Sequence, residues 1–254
     1  MSLPPLTANA WLRWDVVRRQ LPVGACSVLE VGCGQGAVGA RFAAAGYDYV
    51  GVEPDPLSAA VARQRLAALG RGEVRTDLGT LALDRTFDLV CAFEVLEHVD
   101  DDRAALLDWV ALLRPGGILV LSVPAYAARF AAADVHVGHV RRYDPPVLVE
   151  LARSAGLVDV RTILYGMPLG YLLEAARNSL ARRAAAAVSR TGSAAGGHDR
   201  SPPAERTSGS GRWHQPDAAA LTPALKAATA PFRLLQRAFP HRGTGLVLRA
   251  HRPR

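Results

Sequence analysis

Short apolar runs alternate with stretches of helical periodicity through the first 165 residues. Each apolar run has the length and composition of a buried strand, and Gly, Pro or Asp stands at most of the boundaries. Strands that alternate with helices in this way form βαβ units. The pattern therefore predicts an α/β fold with a doubly wound, Rossmann-like and mostly parallel sheet. Strands are predicted at residues 27–31, 47–52, 73–76, 87–93, 118–123 and 157–165, and helices at 6–21, 37–45, 55–70, 100–113 and 144–156.

The regular alternation of predicted strands and helices ends after residue 168. A helical pattern at 169–180 is followed by a stretch rich in Ser, Gly, Arg and Pro at 189–215, which is typical of disorder. A further helix at 218–239 and an apolar run at 245–250 return the chain to the sheet. The predicted segments are an N-terminal helix at 1–22, a core at 23–182, a disordered insertion at 183–217, and a helix and final strand at 218–254 that complete the same domain.

Positive charge is concentrated in the C-terminal part of the chain. The 254 residues carry a net charge of +7. Residues 1–176 contain 16 basic and 20 acidic side chains, whereas residues 177–254 contain 14 and 3. Such a tail attracts nucleic acid or an anionic membrane surface. Almost no aromatic residues are interleaved with these arginines, which argues against a nucleic-acid partner.

The cysteine content favours a reducing compartment. Cys26, Cys33 and Cys91 form no CxxC pair, so neither a disulfide framework nor a zinc ribbon is indicated. No apolar run reaches the roughly 18 residues of a membrane span. The first 22 residues spread their Trp and Arg residues evenly, unlike a signal peptide. We expect a cytoplasmic protein.

The segment Glu30-Val-Gly-Cys-Gly-Gln-Gly36 joins a predicted strand to a predicted helix through three alternate glycines. Glycines permit a tight turn and allow a ligand to lie against the backbone, with a helix N-terminus directed at it. This is the first crossover of a nucleotide-binding sheet. Residues 34–39 also match the pattern GxGxxG, so an NAD-dependent dehydrogenase is one alternative.

Two carboxylates favour a cationic nucleoside as the ligand. Glu30 stands on the strand just before the turn, where it would repel a pyrophosphate and attract a charged amino group. Glu53 ends the second predicted strand, where its carboxylate can accept hydrogen bonds from two ribose hydroxyls.

These residues, with four further segments in the same order, resemble the motifs of class I S-adenosylmethionine-dependent methyltransferases. The resemblance covers residues 25–165. It implies a seven-stranded sheet whose last strand, at 245–250, is antiparallel, and S-adenosyl-L-methionine as methyl donor. The further segments are Val52-Glu-Pro-Asp55, Thr86-Phe-Asp-Leu-Val90, Glu94-Val-Leu-Glu-His-Val99 and Leu113-Arg-Pro-Gly-Gly-Ile118.

The resemblance also implies roles for single residues. Glu53 would hold the ribose, while Asp77 would take the adenine amino group and Leu78 would donate from its backbone. Phe93 and Glu94 would flank the sulfonium. Residues 76–81 lack the Leu-Pro pair that commonly follows the acidic residue in the family. The methionine end would be lined by Glu30, Gly32, Cys33, Gly34 and Gly36.

A second cluster carries carboxylates and imidazoles. Glu94, Glu97 and His98 share one face if the chain turns helically there, and His139 follows in a predicted loop. The set resembles the Glu-x-x-Glu-His plus distal His site that binds a divalent cation in small-RNA 2′-O-methyltransferases, and a related site in ubiquinone-pathway O-methyltransferases. A cation such as Mg²⁺ or Mn²⁺ would suit these ligands. In the alternative reading, His98 and its neighbours only brace the fold.

His139 and His98 are also the candidate catalytic residues, because a hydroxyl acceptor must lose its proton or be polarised by a metal. His136, Arg142 and Tyr143 are candidates for contacting the substrate, with arginine suited to an anionic group. We expect methyl transfer to a small or lipid-like acceptor, at oxygen. An RNA 2′-O-methyltransferase and a non-catalytic S-adenosylmethionine-binding protein are the alternatives, and peripheral membrane contact stays open.

Overall fold

One seven-stranded sheet forms the centre of the molecule. In a computed structural model, which describes residues 3–24, 26–81, 85–190 and 221–254, the strands are β1 (Ser27–Val31), β2 (Asp48–Val52), β3 (Glu73–Arg75), β4 (Phe87–Phe93), β5 (Leu113–Pro124), β6 (Val158–Gly166) and β7 (Gly243–His251). Their order is β3-β2-β1-β4-β5-β7-β6. β1 to β5 pair in parallel, and β7 is antiparallel to both of its neighbours. The predicted α/β sheet with an antiparallel last strand is confirmed.

Helices cover both faces of this sheet, and polar side chains cap several of them. Thr7, Asp55 and Asp101 each accept a hydrogen bond from a backbone N–H in the first turn of the helix that follows. The helices are α1 (Ala8–Val17), α2 (Gly39–Ala44), α3 (Pro56–Ala67), α4 (Asp102–Ala111), α5 (Ala132–Val137), α6 (Pro145–Ser154), α7 (Leu169–Arg190) and α8 (Leu221–Arg237).

Three elements differ from the sequence prediction. β5 begins at Leu113 and absorbs the predicted Arg-Pro-Gly-Gly turn, with a shift of register against β4. The predicted loop around His136 contains the short helix α5. Helix α7 continues to Arg190, so residues 183–190 of the predicted disordered insertion are helical. Four consecutive alanines at 184–187 explain this extension, because Ala has the highest helix propensity. The rest of that insertion, 191–217, lies outside the described residues.

Two apolar clusters fill the space between sheet and helices. Val90, Leu119 and Trp109 belong to the cluster on one face, and Phe42 and Tyr49 to the cluster on the other. α1 packs against α8, β6 and β7, so it stands beside the carboxyl ends of the parallel strands. Among the described helices, none has both the length and the apolar composition needed to cross a membrane.

Candidate active site

A cavity of about 790 Å³ opens at the carboxyl ends of the parallel strands. Ligands bind at this edge in doubly wound sheets. The start of α1 and the middle of α7 form its walls, with α5 at the mouth. The residues predicted as site residues that line it are Glu30, Gly32, Cys33, Gly34, Glu53, Phe93, Glu94, His98, His136, His139 and Arg142.

The glycine turn is held in shape by β2. Gly32 and Cys33 donate their N–H groups to Val52 O, at 2.8 and 3.0 Å. Gly32 has φ +68°, and a Cβ there would lie 2.5 Å from Val95 Cγ2. Only glycine satisfies both conditions, so the turn leaves bare backbone facing the cavity.

Glu53 fastens the other end of this turn. Its carboxylate accepts hydrogen bonds from Gly34 N at 2.8 Å and from Asp55 N at 2.9 Å. Burial raises the pKa of Glu53, and the two backbone hydrogen bonds work against that shift. Each oxygen has a further lone pair, so the group can also accept from a ligand hydroxyl.

Two residues near this end of the cavity were not predicted as site residues from the sequence. Tyr49 Oη donates to Glu30 Oε2 at 2.6 Å, in full burial. Arg13 of α1 lies over the Phe93 ring, 5.8 Å from its centroid, and pairs with Glu94 Oε1 at 3.4 Å. In the sequence, Arg13 belongs to an amphipathic pattern that predicts a helix. No local feature of that pattern identifies Arg13 as a site residue.

Glu94 is held by side chains from three elements, α1, β5 and β6. Besides Arg13, Ser122 Oγ and Tyr165 Oη donate to its Oε1 at 2.9 and 3.1 Å. Burial acts to raise the pKa of Glu94, but the guanidinium of Arg13 and these hydrogen bonds lower it. All three contacts are to Oε1, so this oxygen is occupied by protein partners, and the role of Glu94 as a metal ligand stays a prediction.

The remaining predicted ligands converge. Glu97, His98 and His139 place one ligand atom each within 4.8 Å of the others. The Glu97 side chain is completely buried, yet neither of its oxygens has a hydrogen-bond partner. Burial, with the nearby charge of Glu94, raises the pKa of Glu97 well above its usual range. His139 Nε2 lies 3.7 Å from Glu97 Oε1.

Both imidazoles turn the same nitrogen towards the cluster. His98 donates from Nδ1 to Gly138 O at 3.2 Å, and His139 donates from Nδ1 to Asp134 Oδ1 at 2.8 Å. Burial lowers the pKa of His98 to about 4, so this ring is neutral at pH 7. Although burial alone would raise it, hydrogen bonds from His139 and Arg142 lower the pKa of Asp134 to about 2. Nδ1 of each ring is thus used in a hydrogen bond, and the neutral His98 ring presents Nε2 with its lone pair available.

The three predicted substrate residues have different surroundings. His136 is exposed at the cavity mouth. Arg142 lines the wall, but its guanidinium is paired with Asp134 and Glu174, at 2.8 and 3.1 Å. Tyr143 lies outside the cavity lining, since its ring is buried in the core and its hydroxyl donates to Asp102 Oδ2 at 2.9 Å.

Three predicted cofactor residues also lie outside the cavity lining. Asp77 is exposed, and its carboxylate accepts from Gly79 N at 3.0 Å. Leu78 packs against the core. Gly36 serves packing, because a Cβ there would lie 2.9 Å from Ala62 Cβ. The contact of Asp77 and Leu78 with adenine stays a prediction.

The matching family model and the similar sequences are all described as methyltransferases. A family model described as a methyltransferase domain matches residues 29–119. The chain is 31% identical over 173 residues to a ubiquinone biosynthesis O-methyltransferase of Methylobacterium nodulans, covering 60% of this chain and 68% of that one. A protein with the same description from Xanthomonas euvesicatoria is 33% identical over 183 residues, covering 63% and 75%. The chain spans about half the length of an uncharacterized methyltransferase of Mycobacterium sp., with 34% identity over 128 residues.

Solved structures share the fold at low identity. A methyltransferase of Mesorhizobium loti superposes with a TM-score of 0.56 at 17% identity, covering 94% of this chain and 97% of that one. The [4+2]-cyclase SpnF has a TM-score of 0.55 at 20% identity, covering 94% and 79%. The same fold thus hosts more than one reaction, and the sequence relatives decide the family. Together with the motifs at the carboxyl ends of β1, β2 and β4, they show that the chain belongs to the class I S-adenosylmethionine-dependent methyltransferases.

Proposed function

We propose that the chain transfers the methyl group of S-adenosylmethionine to an oxygen of a small, lipid-like acceptor, and that Glu97, His98 and His139 hold a divalent cation for this reaction. The observation that carries the proposal is the Glu97 carboxylate. It is fully buried beside two imidazoles, and neither oxygen is hydrogen-bonded. A buried carboxylate without hydrogen bonds lowers the stability of the folded state unless a metal ion or another polar group compensates it.

The cofactor end of the site has the groups that a sulfonium nucleoside needs. Glu53 would accept from ribose hydroxyls, and Glu30 would accept from the amino group. Arg13 offers a guanidinium, which matches a carboxylate in geometry and charge. Phe93 and the glycine turn exclude water around the sulfonium, whose methyl is already electrophilic, so positioning supplies most of the rate enhancement.

The triad fits a cation such as Mg²⁺ or Mn²⁺. One carboxylate oxygen and two imidazole Nε2 atoms form a mixed ligand set, and the hydrogen bonds to Gly138 O and Asp134 fix both rings. A bound divalent cation would lower the pKa of an acceptor hydroxyl. Because Nε2 of His139 would be a ligand of the cation and its Nδ1 donates to the ionised Asp134, the proton that this hydroxyl releases would pass to solvent. Without a cation, the same Nε2 would take that proton, which is the catalytic role predicted for His139.

The cavity wall opposite the glycine turn suits an apolar acceptor. Leu180, Ala181 and Ala184 lie within about one turn of α7 and line the cavity, as does Val137 of α5. The names of the relatives from ubiquinone biosynthesis agree with an acceptor that has an apolar part. Arg177, which also lines this wall, is exposed at the mouth.

We assign the reaction to the cytoplasm, because Cys26, Cys33 and Cys91 are all free thiols. Of the 14 basic side chains at 177–254 that raised the nucleic-acid alternative, three (Arg200, Arg206 and Arg212) lie outside the described residues. No feature of the described cavity favours that alternative over a small acceptor.

Two experiments test this proposal. Titration with Mn²⁺, followed by electron paramagnetic resonance, should show one site, and His139→Ala should weaken it at least tenfold. His136→Ala is the matched control, because that imidazole lies at the mouth and outside the triad. Wild-type protein that leaves Mn²⁺ free at millimolar concentration would remove the cation from the proposal.

The second experiment addresses the reaction itself. Labelled S-adenosylmethionine is offered with apolar-tailed phenols and catechols, and with the aniline analogue of each. Label should pass to the hydroxyl compounds only. Transfer to the anilines at an equal rate would contradict the assignment to oxygen.

A further inference from the structure

The hydroxyl of Tyr49 and the carboxyl of Glu30 form a buried hydrogen-bonded pair beneath the glycine turn. Tyr49 Oη donates to Glu30 Oε2 at 2.6 Å, and the two residues are 1% and 3% exposed. The hydrogen bond uses one carboxyl oxygen of Glu30, and Glu30 also lines the cavity. Tyr49 therefore sets the orientation in which this carboxyl meets a ligand.

The surrounding chain leaves the Tyr49 ring no room to move. A Cβ at Gly39 would lie 2.4 Å from the ring, and one at Gly51 would lie 2.7 Å from its hydroxyl. Phe42 stacks on the same ring, with centroids 6.0 Å apart and planes 16° apart. The position of the hydroxyl is thus fixed by packing and not by the hydrogen bond alone.

Charges near Glu30 do not compensate an ionised carboxylate. Arg13 of α1 attracts it, but that guanidinium is paired with Glu94. Glu53, after β2, repels it. The thiols of Cys33 and Cys91 face it from the turn and from β4, and burial keeps both neutral by raising their pKa. Burial raises the pKa of Glu30 to about 8, against the hydrogen bond from Tyr49.

We propose that Tyr49 is a positioning residue for Glu30, and that Glu30 releases its proton to water when the ammonium group of the cofactor binds. The proposal rests on the proposed function, since it takes S-adenosylmethionine as the ligand. No covalent bond other than the carboxyl O–H changes: the proton leaves to solvent, and the carboxylate then accepts a hydrogen bond from the ammonium group. Cofactor binding is therefore coupled to pH through this one carboxyl.

Calorimetry with S-adenosylhomocysteine, which has the same ammonium group, measures the coupling. Titrations at pH 7 in two buffers of different ionisation enthalpy give the number of protons released. Wild-type protein should release about 0.9 proton per site, and its affinity should rise up to about tenfold from pH 6 to pH 7. Glu30→Gln should release none and show no such rise.

Tyr49→Phe keeps the packed ring and removes only the hydroxyl. We expect about tenfold weaker binding of S-adenosylhomocysteine, with the KM of the acceptor unchanged. Because the hydrogen bond from Tyr49 lowers the pKa of Glu30, the affinity of Tyr49→Phe should go on rising to a higher pH than that of the wild type. Tyr47→Phe is the control, because Tyr47 Oη donates to Pro22 O, outside the cavity. 5′-Methylthioadenosine, which lacks the amino acid part, should bind all variants equally and release no proton.

The outcomes distinguish the proposed role of the Tyr49–Glu30 pair from the proposed methyltransferase function. Wild-type protein that binds S-adenosylhomocysteine without proton release, or a Tyr49→Phe variant indistinguishable from Tyr47→Phe, overturns the role of the pair and leaves the methyltransferase assignment standing. Failure of the wild type to bind S-adenosylhomocysteine at all would instead count against the proposed function. Circular dichroism of each variant confirms that it is folded.

Discussion

Arg142 compensates two buried carboxylates. Its side chain is 4% exposed, and it pairs with Asp134 Oδ1 at 2.8 Å and with Glu174 Oε2 at 3.1 Å, which are 2% and 6% exposed. Asp134 in turn orients His139. The adjacent Arg141 is 34% exposed and pairs with Asp102, which keeps contact with water at 17% exposure and also accepts from Tyr143 Oη.

Replacement of these neighbours should have unequal effects. Arg142→Ala removes the shared guanidinium from two buried carboxylates and leaves only His139 beside Asp134 and Arg129 beside Glu174 among the described residues, so we expect a loss of about 3 kcal/mol in the free energy of unfolding. Arg141→Ala should cost at most about 1 kcal/mol, as exposed ion pairs do. Urea denaturation measures both. If the Arg142→Ala protein had normal stability but a raised KM for the acceptor, Arg142 would be a substrate contact, as the sequence predicted.

The ends of strands could be predicted from the sequence, and the partners of their side chains could not. Glu30 and Glu53 follow apolar runs directly, so their place at the cavity follows from the strand pattern. From the sequence, Tyr49 is predicted only as a strand residue. Its hydrogen bond to Glu30 joins two different strands, so no local pattern indicates it. Tyr143 and Arg142 are adjacent and polar, and only the tertiary structure shows that the first belongs to the core and the second to the cavity wall.

Helices α1 and α8 are joined through one carboxylate. The side chain of Asp15 in α1 is fully buried and pairs with Arg18 and Arg19 of the same chain segment and with Arg237 of α8. Burial acts to raise the pKa of Asp15, but the hydrogen bonds from Arg237 and Arg18 lower it to about 2. The ionised carboxylate therefore stabilises the folded state.

Asp15→Asn should weaken this connection in a pH-dependent way. The folded pKa is below the unfolded value of about 3.9, so the stability is present above pH 4 and is lost as the pH falls towards 2. Because the three arginines are more than a third exposed, screening reduces the effect at pH 7 to about 1–2 kcal/mol. Thermal unfolding across this range measures it. Asp108→Asn, at an exposed carboxylate, is the control, and an equal effect of both variants would contradict the argument.

Elements with local signals were predicted well, and those fixed by tertiary contacts were not. Asp55 followed by Pro56 marks the start of α3, and the structure places the cap there. α5 has only six residues and packs against α7, so its stability comes from that contact and not from its own sequence. The turn residues of Arg114-Pro-Gly-Gly117 are drawn into β5 by pairing with its neighbours.

The fold is closed by a strand far along the chain from its neighbours. β7 pairs with β5 from Ile118 to Pro124 and with β6 along nearly its whole length. Residues matched by the family model end at 119, so β7 lies beyond that segment. Thr244 and Gly245 of β7 also line the cavity, which means that the same strand completes both sheet and site.

Removal of residues 243–254 should therefore abolish the cooperative fold, although the cofactor motifs remain in the chain. Without β7, the facing edges of β5 and β6 are unpaired and the apolar side chains of Leu246 and Leu248 no longer fill the core. We expect loss of a sharp thermal transition and loss of S-adenosylhomocysteine binding by calorimetry. Removal of residues 253 and 254 alone should retain both, since β7 ends at His251. A truncated protein that melts cooperatively and binds the nucleoside would show that β1 to β6 form an independent folding unit, and that β7 contributes to neither stability nor site.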